Sequence, residues 1–480
     1  MSGLDVRGAW FALCLLSCGA PESVRDTSPV SRPPVVLITL ESMRVDHLGA
    51  YDGGSTTRPE TPVSPVLDAL ADETTLYERA HSVTSWTLSS HASLFTGLYP
   101  TAHQTRAPTA RLGDDYETLA ERLGRVGYQT GAVVSGPYLR RSHNLTQGFE
   151  WVDESTANPL QPRAHTDITN PGMEAGLIRF IERVRDPDRP FFLFAYFWDP
   201  HFDYLPPAPY DAMFEREGSE RIDLRDFDIN DAIHPEIPSS QLDYILSQYA
   251  GEIRATDELL GRFFDLLRQR GLWEDSLVIV TADHGEEFFD HGEKGHKKNL
   301  HVETVQVPLF IKYPAGQGPE AGTRDARLVS LVDIVPTVLE LVGADPAEPS
   351  HGRSLLAPPD PQRPIFFELL SSWYVQQGDK TVEEIEDWAG VRLSDGKLLI
   401  RRDDPGTVAY YDLAEDPGEQ ENRAGTAPRA VSELVGHLTE EQRRWESDAA
   451  LFEPGGSAAL DREASAQLCA LGYLDCPGSP

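Results

Sequence analysis

Thr87 opens the segment Thr87-Leu-Ser-Ser-His-Ala-Ser-Leu-Phe-Thr-Gly-Leu-Tyr-Pro100, which places a hydroxyl where a helix should begin. Ser89 or Ser90 is expected to cap that helix, and Gly97 to stop it. A hydroxyl at such an end faces unsatisfied backbone N–H groups and the positive end of the helix dipole, a setting suited to phosphate or sulfate. Thr87 is therefore a candidate nucleophile. Three other segments carry matching chemistry. Glu41 follows the apolar run Val35-Val-Leu-Ile-Thr-Leu40, and Asp283-His284 follows Leu277-Val-Ile-Val-Thr-Ala282. The loop His291-Gly-Glu-Lys-Gly-His296 adds two histidines. Each residue alone reads as a surface polar group. Together, Glu41, Thr87, Asp283 and His284 are the ligand types for one divalent metal ion. Their ligating atoms are expected to converge on one point, roughly 2–2.6 Å from the ion.

The elements that must position these groups are short. Both apolar runs read as buried parallel strands, and open α/β sheets bind ligands at the carboxyl ends of such strands. Tyr128–Ser135 and Pro190–Phe197 read as further inner strands. Residues 174–184 and 241–270 read as amphipathic helices, and the alternation is that of an α/β fold. Residues 205–240, rich in Pro, Asp and Glu, read as an excursion over the Asp199-Pro-His201 loop. After Gly343 the texture changes. Ile365-Phe-Phe367 and a hairpin over 390–400, with Asp395-Gly396 as its turn, predict a small antiparallel sheet.

With these segments in place, the chain resembles the sulfatase family of the alkaline phosphatase superfamily, from about Pro34 to Tyr473. The Thr87–Pro100 segment resembles the signature Cys/Ser-x-Pro-x-Arg followed by Thr-Gly and Tyr-Pro. Asp283-His-Gly-Glu-Glu-Phe288 resembles the second metal-binding strand end, and Asp199-Pro-His201 the substrate-side loop. Val307-Pro-Leu-Phe-Ile311, Val332-Asp-Ile-Val-Pro-Thr337, Gly352-Arg-Ser-Leu355, Lys397-Leu-Leu-Ile400 and Tyr411-Asp-Leu-Ala-Glu-Asp-Pro-Gly-Glu419 are further landmarks. The resemblance implies a three-layer α/β/α sandwich over 34–345 and a smaller α+β region with an antiparallel sheet over 346–480.

The departures bear on mechanism. Thr87 stands where the family oxidises Cys or Ser to formylglycine, so no formylglycine is expected. Ser89 replaces Pro, His91 replaces Arg, and Glu41-Ser42 replaces an Asp-Asp pair. The metal set is similar to that of phosphoethanolamine transferases and lipoteichoic acid synthases, which use an unmodified threonine and carry a phosphate-binding histidine where His296 sits. An imidazole among two carboxylates favours zinc or manganese, with calcium, which prefers oxygen ligands, as the alternative. The implied function is hydrolysis of phosphate, phosphonate or sulfate esters through Thr87, with the phosphorus esters favoured. His201 and His296 are expected to contact substrate oxygens or protonate the leaving group, and His91, Lys297 and Lys298 to bind substrate. A phosphoethanolamine-type transferase is one alternative, although those relatives usually carry several transmembrane helices and this chain has none. A sulfatase acting without formylglycine is a second. A non-catalytic lipoprotein binding an anionic glycan is a third.

Composition agrees with an enzyme. The chain has 480 residues, 40% of them hydrophobic, enough for one large domain and one smaller one. Forty-two basic against 77 acidic residues give a net charge of −35, which opposes binding to nucleic acid or acidic lipid. The expected partner is a small-molecule, glycan or lipid ester. Residues 1–18 resemble a lipoprotein signal, with a short apolar run ending before Cys18, and 19–33 a tether. The expectation is an exported protein, anchored to the membrane only through a lipid on Cys18 and facing the periplasm or the outside. Cys469 and Cys476 are a candidate pair that spacing does not decide.

Overall fold

The hydrophobic runs become the strands that carry the site. In the computed structural model, which describes residues 32–51, 61–157, 169–377, 380–404, 406–470 and 474, the first six strands are β1 (Val35–Leu40), β2 (Thr75–His81), β3 (Gln129–Ser135), β4 (Trp151–Thr156), β5 (Phe191–Phe197) and β6 (Leu277–Ala282). The short β7 (Glu287–Phe288) and β8 (Lys294–Gly295) pair with each other, and β9 (Gln306–Val307), β10 (Leu309–Lys312) and β11 (Thr323–Ser330) follow. The large sheet runs β11-β2-β10-β6-β1-β5-β3-β4, with β9 also on β2. Strands β6, β1, β5, β3 and β4 are mutually parallel, while β10 runs against both its neighbours. Helices cover the sheet to give a three-layer α/β/α sandwich.

β1, β5 and β6 are buried along their whole length, which is why they read as continuous apolar runs rather than alternating ones. Full burial of each large aliphatic or aromatic side chain there contributes roughly 1.5–3 kcal/mol. The helix expected over 174–184 starts earlier, at Asn170, and its last turn, Phe180–Val184, opens into a π-turn. The long helix runs Ser239–Gln269.

The second sheet orders β12 (Ile365–Gln377), β13 (Lys380–Arg392), β14 (Gly396–Arg401) and β15 (Val408–Asp412), all antiparallel. Arg392 pairs with Lys397 across the expected turn. Two of the sequence landmarks meet in this region. Lys397 Nζ lies 2.9 and 3.0 Å from the two Glu419 carboxylate oxygens and 2.7 Å from the Leu300 carbonyl, and both side chains are fully buried. The small sheet is thereby tied to the loop that carries His296.

The described residues from Pro33 onward form one compact unit. The segment 1–18, with Cys18, and all of the tether except Arg32 and Pro33 lie outside the described residues. Cys469 is disulfide-bonded, and Cys476 lies outside the described residues. Among the described residues, no helix is long and apolar enough to cross a membrane.

Candidate active site

Three adjacent strand ends and one helix start build the site. Leu40, the last residue of β1, pairs with Phe197 of β5 on one side and Ala282 of β6 on the other. Glu41, the Trp198–His201 segment and Asp283-His284 therefore leave the sheet side by side. Thr87 reaches them from beyond β2. It is the first residue of the Thr87–Thr96 helix, whose cap, Trp86, is extended and whose end is set by Gly97 at φ 74°. Only glycine takes that left-handed conformation without strain. Ser89 and Ser90 do not cap the helix, contrary to expectation. Their hydroxyls donate to the carbonyls of Thr105 and Asp283, each at 2.7 Å. The Ser90 bond fixes the helix start against the end of β6.

The four expected ligands converge. Thr87 Oγ1 lies 3.2 Å from Glu41 Oε2 and 3.2 Å from His284 Nε2. His284 Nε2 lies 3.1 Å from Glu41 Oε1 and 3.6 Å from Asp283 Oδ2. One ligand atom each from Glu41, Asp283 and His284 lies within 4.8 Å of the others, and all three residues are fully buried.

The donor pattern fits a cation. His284 Nδ1–H donates to the Gly285 carbonyl at 2.8 Å, which leaves the Nε2 lone pair facing a carboxylate. Asp283 Oδ1 accepts from the backbone N–H of Ser42 and His284, but its buried Oδ2 has no hydrogen-bond partner, with the His284 and His91 rings 3.6 and 3.8 Å away. A buried carboxylate oxygen without a donor is costly, and a divalent ion would satisfy it. Without one, burial and the Glu41 charge push Asp283 well up. Burial works in the same direction on Glu41, but the charge and hydrogen bond of His284 outweigh it and hold Glu41 well down. Burial lowers His284, yet Asp283 and Glu41 drive it up to about 10.

The remaining expected residues fall into two groups. His201 and His296 lie at the site, with ring centroids 5.3 Å apart and His296 4.5 Å from His284. Lys297 lies beside it, buried, with Nζ 5.2 Å above the Trp86 ring, and burial pulls its ammonium down to about 7. His91 and Lys298 are engaged elsewhere. His91 Nδ1–H donates to the Thr87 carbonyl and Nε2 accepts from Thr39 Oγ1, each at 2.9 Å, so the ring holds the helix to β1. Lys298 Nζ pairs with Asp228 at 2.9 Å. Lys294 Nζ donates to the carbonyls of Asn230 and Ile233, so the 205–240 excursion is fastened to the histidine loop as well.

Three contributors were given no role by the sequence, although Glu286 lies within the Asp283–Phe288 landmark. Tyr196, one turn of pleat before the end of β5, donates its hydroxyl to Glu41 Oε2. Glu286 accepts from His296 Nδ1–H at 3.0 Å and from the Tyr204 hydroxyl at 2.8 Å, and burial pushes its carboxyl up to about 7. Trp198 stacks on His201 at 3.9 Å. A tyrosine or tryptophan in an apolar strand reads as core, and only the tertiary fold turns it to the site. His291, the other loop histidine, lies apart from this centre. Its Nδ1 is 2.7 Å from Glu303 and its Nε2 3.0 Å from the Glu419 carbonyl.

Comparisons with known proteins agree with this geometry. A multifunctional alkaline phosphatase superfamily protein, PehA, from Trinickia caryophylli is 26% identical over 87% of this chain and 95% of its own. An arylsulfatase from Clostridium perfringens is 25% identical over 82% of this chain and 90% of its own. The crystal structure of a phosphonate monoester hydrolase from Agrobacterium radiobacter superposes with a TM-score of 0.66 at 22% identity, covering 87% of this chain and 96% of that one. A structure described in complex with D-glucosamine-2-N,6-O-disulfate as its substrate gives 0.68 at 18% identity, covering 88% and 99%. A family model for the C-terminal part of N-sulphoglucosamine sulphohydrolase matches residues 290–447. The family model for sulfatases matches residues 33–344. With that match over most of the chain, and a buried carboxylate–imidazole cluster at the expected strand ends, the chain belongs to the sulfatase family of the alkaline phosphatase superfamily and is a metal-dependent hydrolase of ester bonds.

Proposed function

We propose that the enzyme cleaves phosphate or phosphonate esters in preference to sulfate esters, with Thr87 as the nucleophile. The observation that carries this reading is the side chain at position 87. A threonine with Oγ1 3.2 Å from both Glu41 and His284 is placed to attack, but it has no aldehyde chemistry. A hydrated formylglycine expels sulfate by collapsing to the aldehyde. A sulfated threonine has no such route and must wait for water to attack sulfur.

Glu41, Asp283 and His284 would hold the divalent ion, and the imidazole favours zinc or manganese over calcium. Bound there, the ion would act as a Lewis acid that lowers the hydroxyl pKa and neutralises the ester oxygens. The hydroxyl of Thr87 donates to Glu41 Oε2, which orients the oxygen lone pairs toward the substrate. Thr87 passes its proton to Glu41 Oε2 as the Oγ1–phosphorus bond forms and the bond to the leaving oxygen breaks. His201 and His296 contact the substrate oxygens or protonate the leaving oxygen, and Lys297, buried over the Trp86 ring, binds the substrate beside them. Water then attacks phosphorus and releases Thr87. His91 positions the Thr87 helix, and Lys298 holds the excursion that borders the substrate.

Residues 34–345 carry this chemistry in our reading, and 346–480 buttress it through Lys397 and Glu419. The N-terminal run before Cys18 supports export as a membrane-anchored lipoprotein. The deciding experiment compares kcat/KM for matched nitrophenyl phosphate, phosphate diester, phosphonate and sulfate esters, with zinc, manganese and calcium added in turn. A preference for the sulfate ester with calcium would overturn the proposal.

A further inference from the structure

We propose that His291 is a positioning residue: as an imidazolium it clasps the loop between His284 and His296 to the C-terminal region, and losing one proton opens the clasp and weakens substrate binding. The proposal rests on the reading that His296 and Lys297 meet the substrate.

The acceptors around the ring fix its charge. His291 Nδ1 lies 2.7 Å from Glu303 Oε1, and Nε2 lies 3.0 Å from the Glu419 carbonyl oxygen. A carboxylate and a carbonyl only accept, so each ring nitrogen carries a proton and the ring is cationic. The Gln420 amide nitrogen is also near, 3.2 Å from Nε2, but its two protons have acceptors of their own in the carbonyls of Gly418 and Asp290. Glu287 brings a second carboxylate to the ring: one oxygen each from Glu287 and Glu303 and one His291 nitrogen lie within 4.8 Å of one another.

The charge stays on this one ring. His301 stacks on His291 with centroids 3.7 Å apart and planes 6° from parallel, and its Nδ1 faces Glu419 Oε2 at 3.2 Å. Two imidazolium ions at that spacing repel, so His301 is neutral. Lys397 balances the Glu419 carboxylate, and the Tyr411 ring meets His301 edge-on at 5.7 Å. Burial lowers His291, but the Glu303 hydrogen bond and charge, the Glu419 carbonyl and the Glu287 charge push it up to about 9. That value lies above the ordinary 6.5, so the clasp is whole below 6.5 and is lost as pH rises through about 9. The proton that leaves is the one on Nε2, because Nδ1 keeps the carboxylate. It passes to solvent and leaves a nitrogen lone pair against the Glu419 carbonyl oxygen.

The clasp sits on the ribbon that carries part of the site. His291 lies on the turn between the paired β7 and β8, and its backbone N–H bonds Glu287 Oε1 at 2.8 Å. Glu286, just before β7, holds His296, just after β8. Glu41, Thr87, Asp283 and His284 belong to strand ends and a helix start outside this ribbon. Opening the clasp therefore moves substrate contacts more than metal ligands, and KM should rise more than kcat falls.

The test joins kinetics to hydrogen exchange on the full-length, zinc-loaded enzyme, with whichever nitrophenyl ester it turns over fastest. In the parent, KM should rise several-fold in alkaline solution with a midpoint near 9. Glu303→Gln keeps an acceptor for Nδ1–H but removes the charge, and should move that midpoint down toward the ordinary value of about 6.5. His291→Asn should show the raised KM already at neutral pH, with no further alkaline rise. A midpoint left near 9 in Glu303→Gln, or an alkaline rise kept in His291→Asn, overturns the proposal. Should either variant misfold by circular dichroism, the parent alone decides. Exchange of the backbone amides of 418–422, corrected for the intrinsic effect of pH on exchange, should increase through the same midpoint. A flat profile overturns the clasp. Exchange that increases while KM stays level would sink the reading that the ribbon meets the substrate, and the positioning role with it.

Discussion

Replacing Lys397 with Met should cost about 3–5 kcal/mol of stability, because it strands the Glu419 carboxylate in the interior. Both side chains are fully buried, and Nζ bonds both carboxylate oxygens at 2.9 and 3.0 Å. Burial raises the Glu419 carboxyl, but the Lys397 charge and the His301 and Lys397 hydrogen bonds overcome it and bring it from an ordinary 4.5 down to about 2. That drop corresponds to roughly 3 kcal/mol in favour of the charged carboxylate. Lys397 itself is pulled below its usual value, because burial costs the ammonium more than Glu419 returns. The pair is thus worth less to the fold than the Glu419 shift alone implies, whereas breaking it on one side carries the whole penalty. The two figures make a pattern that urea denaturation can read. Lys397→Met should lose most of that stability, and Lys397→Met with Glu419→Leu should recover the greater part of it. A double variant as unstable as the single one would refute the argument from charge and point to packing. The sign with pH follows. Since the folded pKa is depressed, this stabilisation is present above about 4.5 and is lost as pH falls from 4.5 toward 2. Acid unfolding of Glu419→Gln should therefore depend less on pH in that window.

Thr87→Ala should abolish nearly all turnover, by a factor of about 10⁴ or more, while circular dichroism and metal content stay close to the parent. Substantial residual turnover would make water the nucleophile. Gly285→Ala should destabilise the fold by about 1–3 kcal/mol or more, since a Cβ there lies 2.0 Å from the Glu303 carbonyl oxygen. A thermal melt indistinguishable from the parent would show that the 285–286 and 303–304 backbones part easily. Asp228→Asn should raise KM more than it lowers kcat, because it frees Lys298 and loosens the excursion from the histidine loop. An equal fall in kcat with KM unchanged would count against a role confined to the substrate mouth.

The parts of the site legible in the sequence were those fixed by strand ends. Val35–Leu40 is bounded as a strand by its own apolar run, and Leu277–Ala282 likewise, so Glu41 and Asp283-His284 fall at their carboxyl ends without any tertiary knowledge. Helix starts were less legible. Ser89 and Ser90 have the composition of caps, but the carbonyls of Thr105 and Asp283 compete for their hydroxyls. Orienting residues were not legible at all. Glu286 and Tyr196 sit beside ligands only after β5, β1 and β6 have aligned, and a carboxylate next to Glu287 looks like any other acid. Lys397 and Glu419 were visible as separate landmarks, but their pairing across 22 positions depends on the β14 register.

β1 lies between β5 and β6, and this position has a consequence for the order in which the protein becomes an enzyme. Its neighbours are encoded far downstream: Tyr196, which bonds Glu41, is 155 positions away, and Asp283, which bonds Ser42, is 241. A ribosome adding roughly 5–20 residues per second therefore takes on the order of ten seconds or more after making Glu41 before Asp283 exists. During that interval β1 is an apolar strand with both edges unclaimed, the kind of surface that chaperones shield. Glu41, Asp283 and His284 coexist only once most of the large sheet has been synthesised, so the site is completed late along the chain.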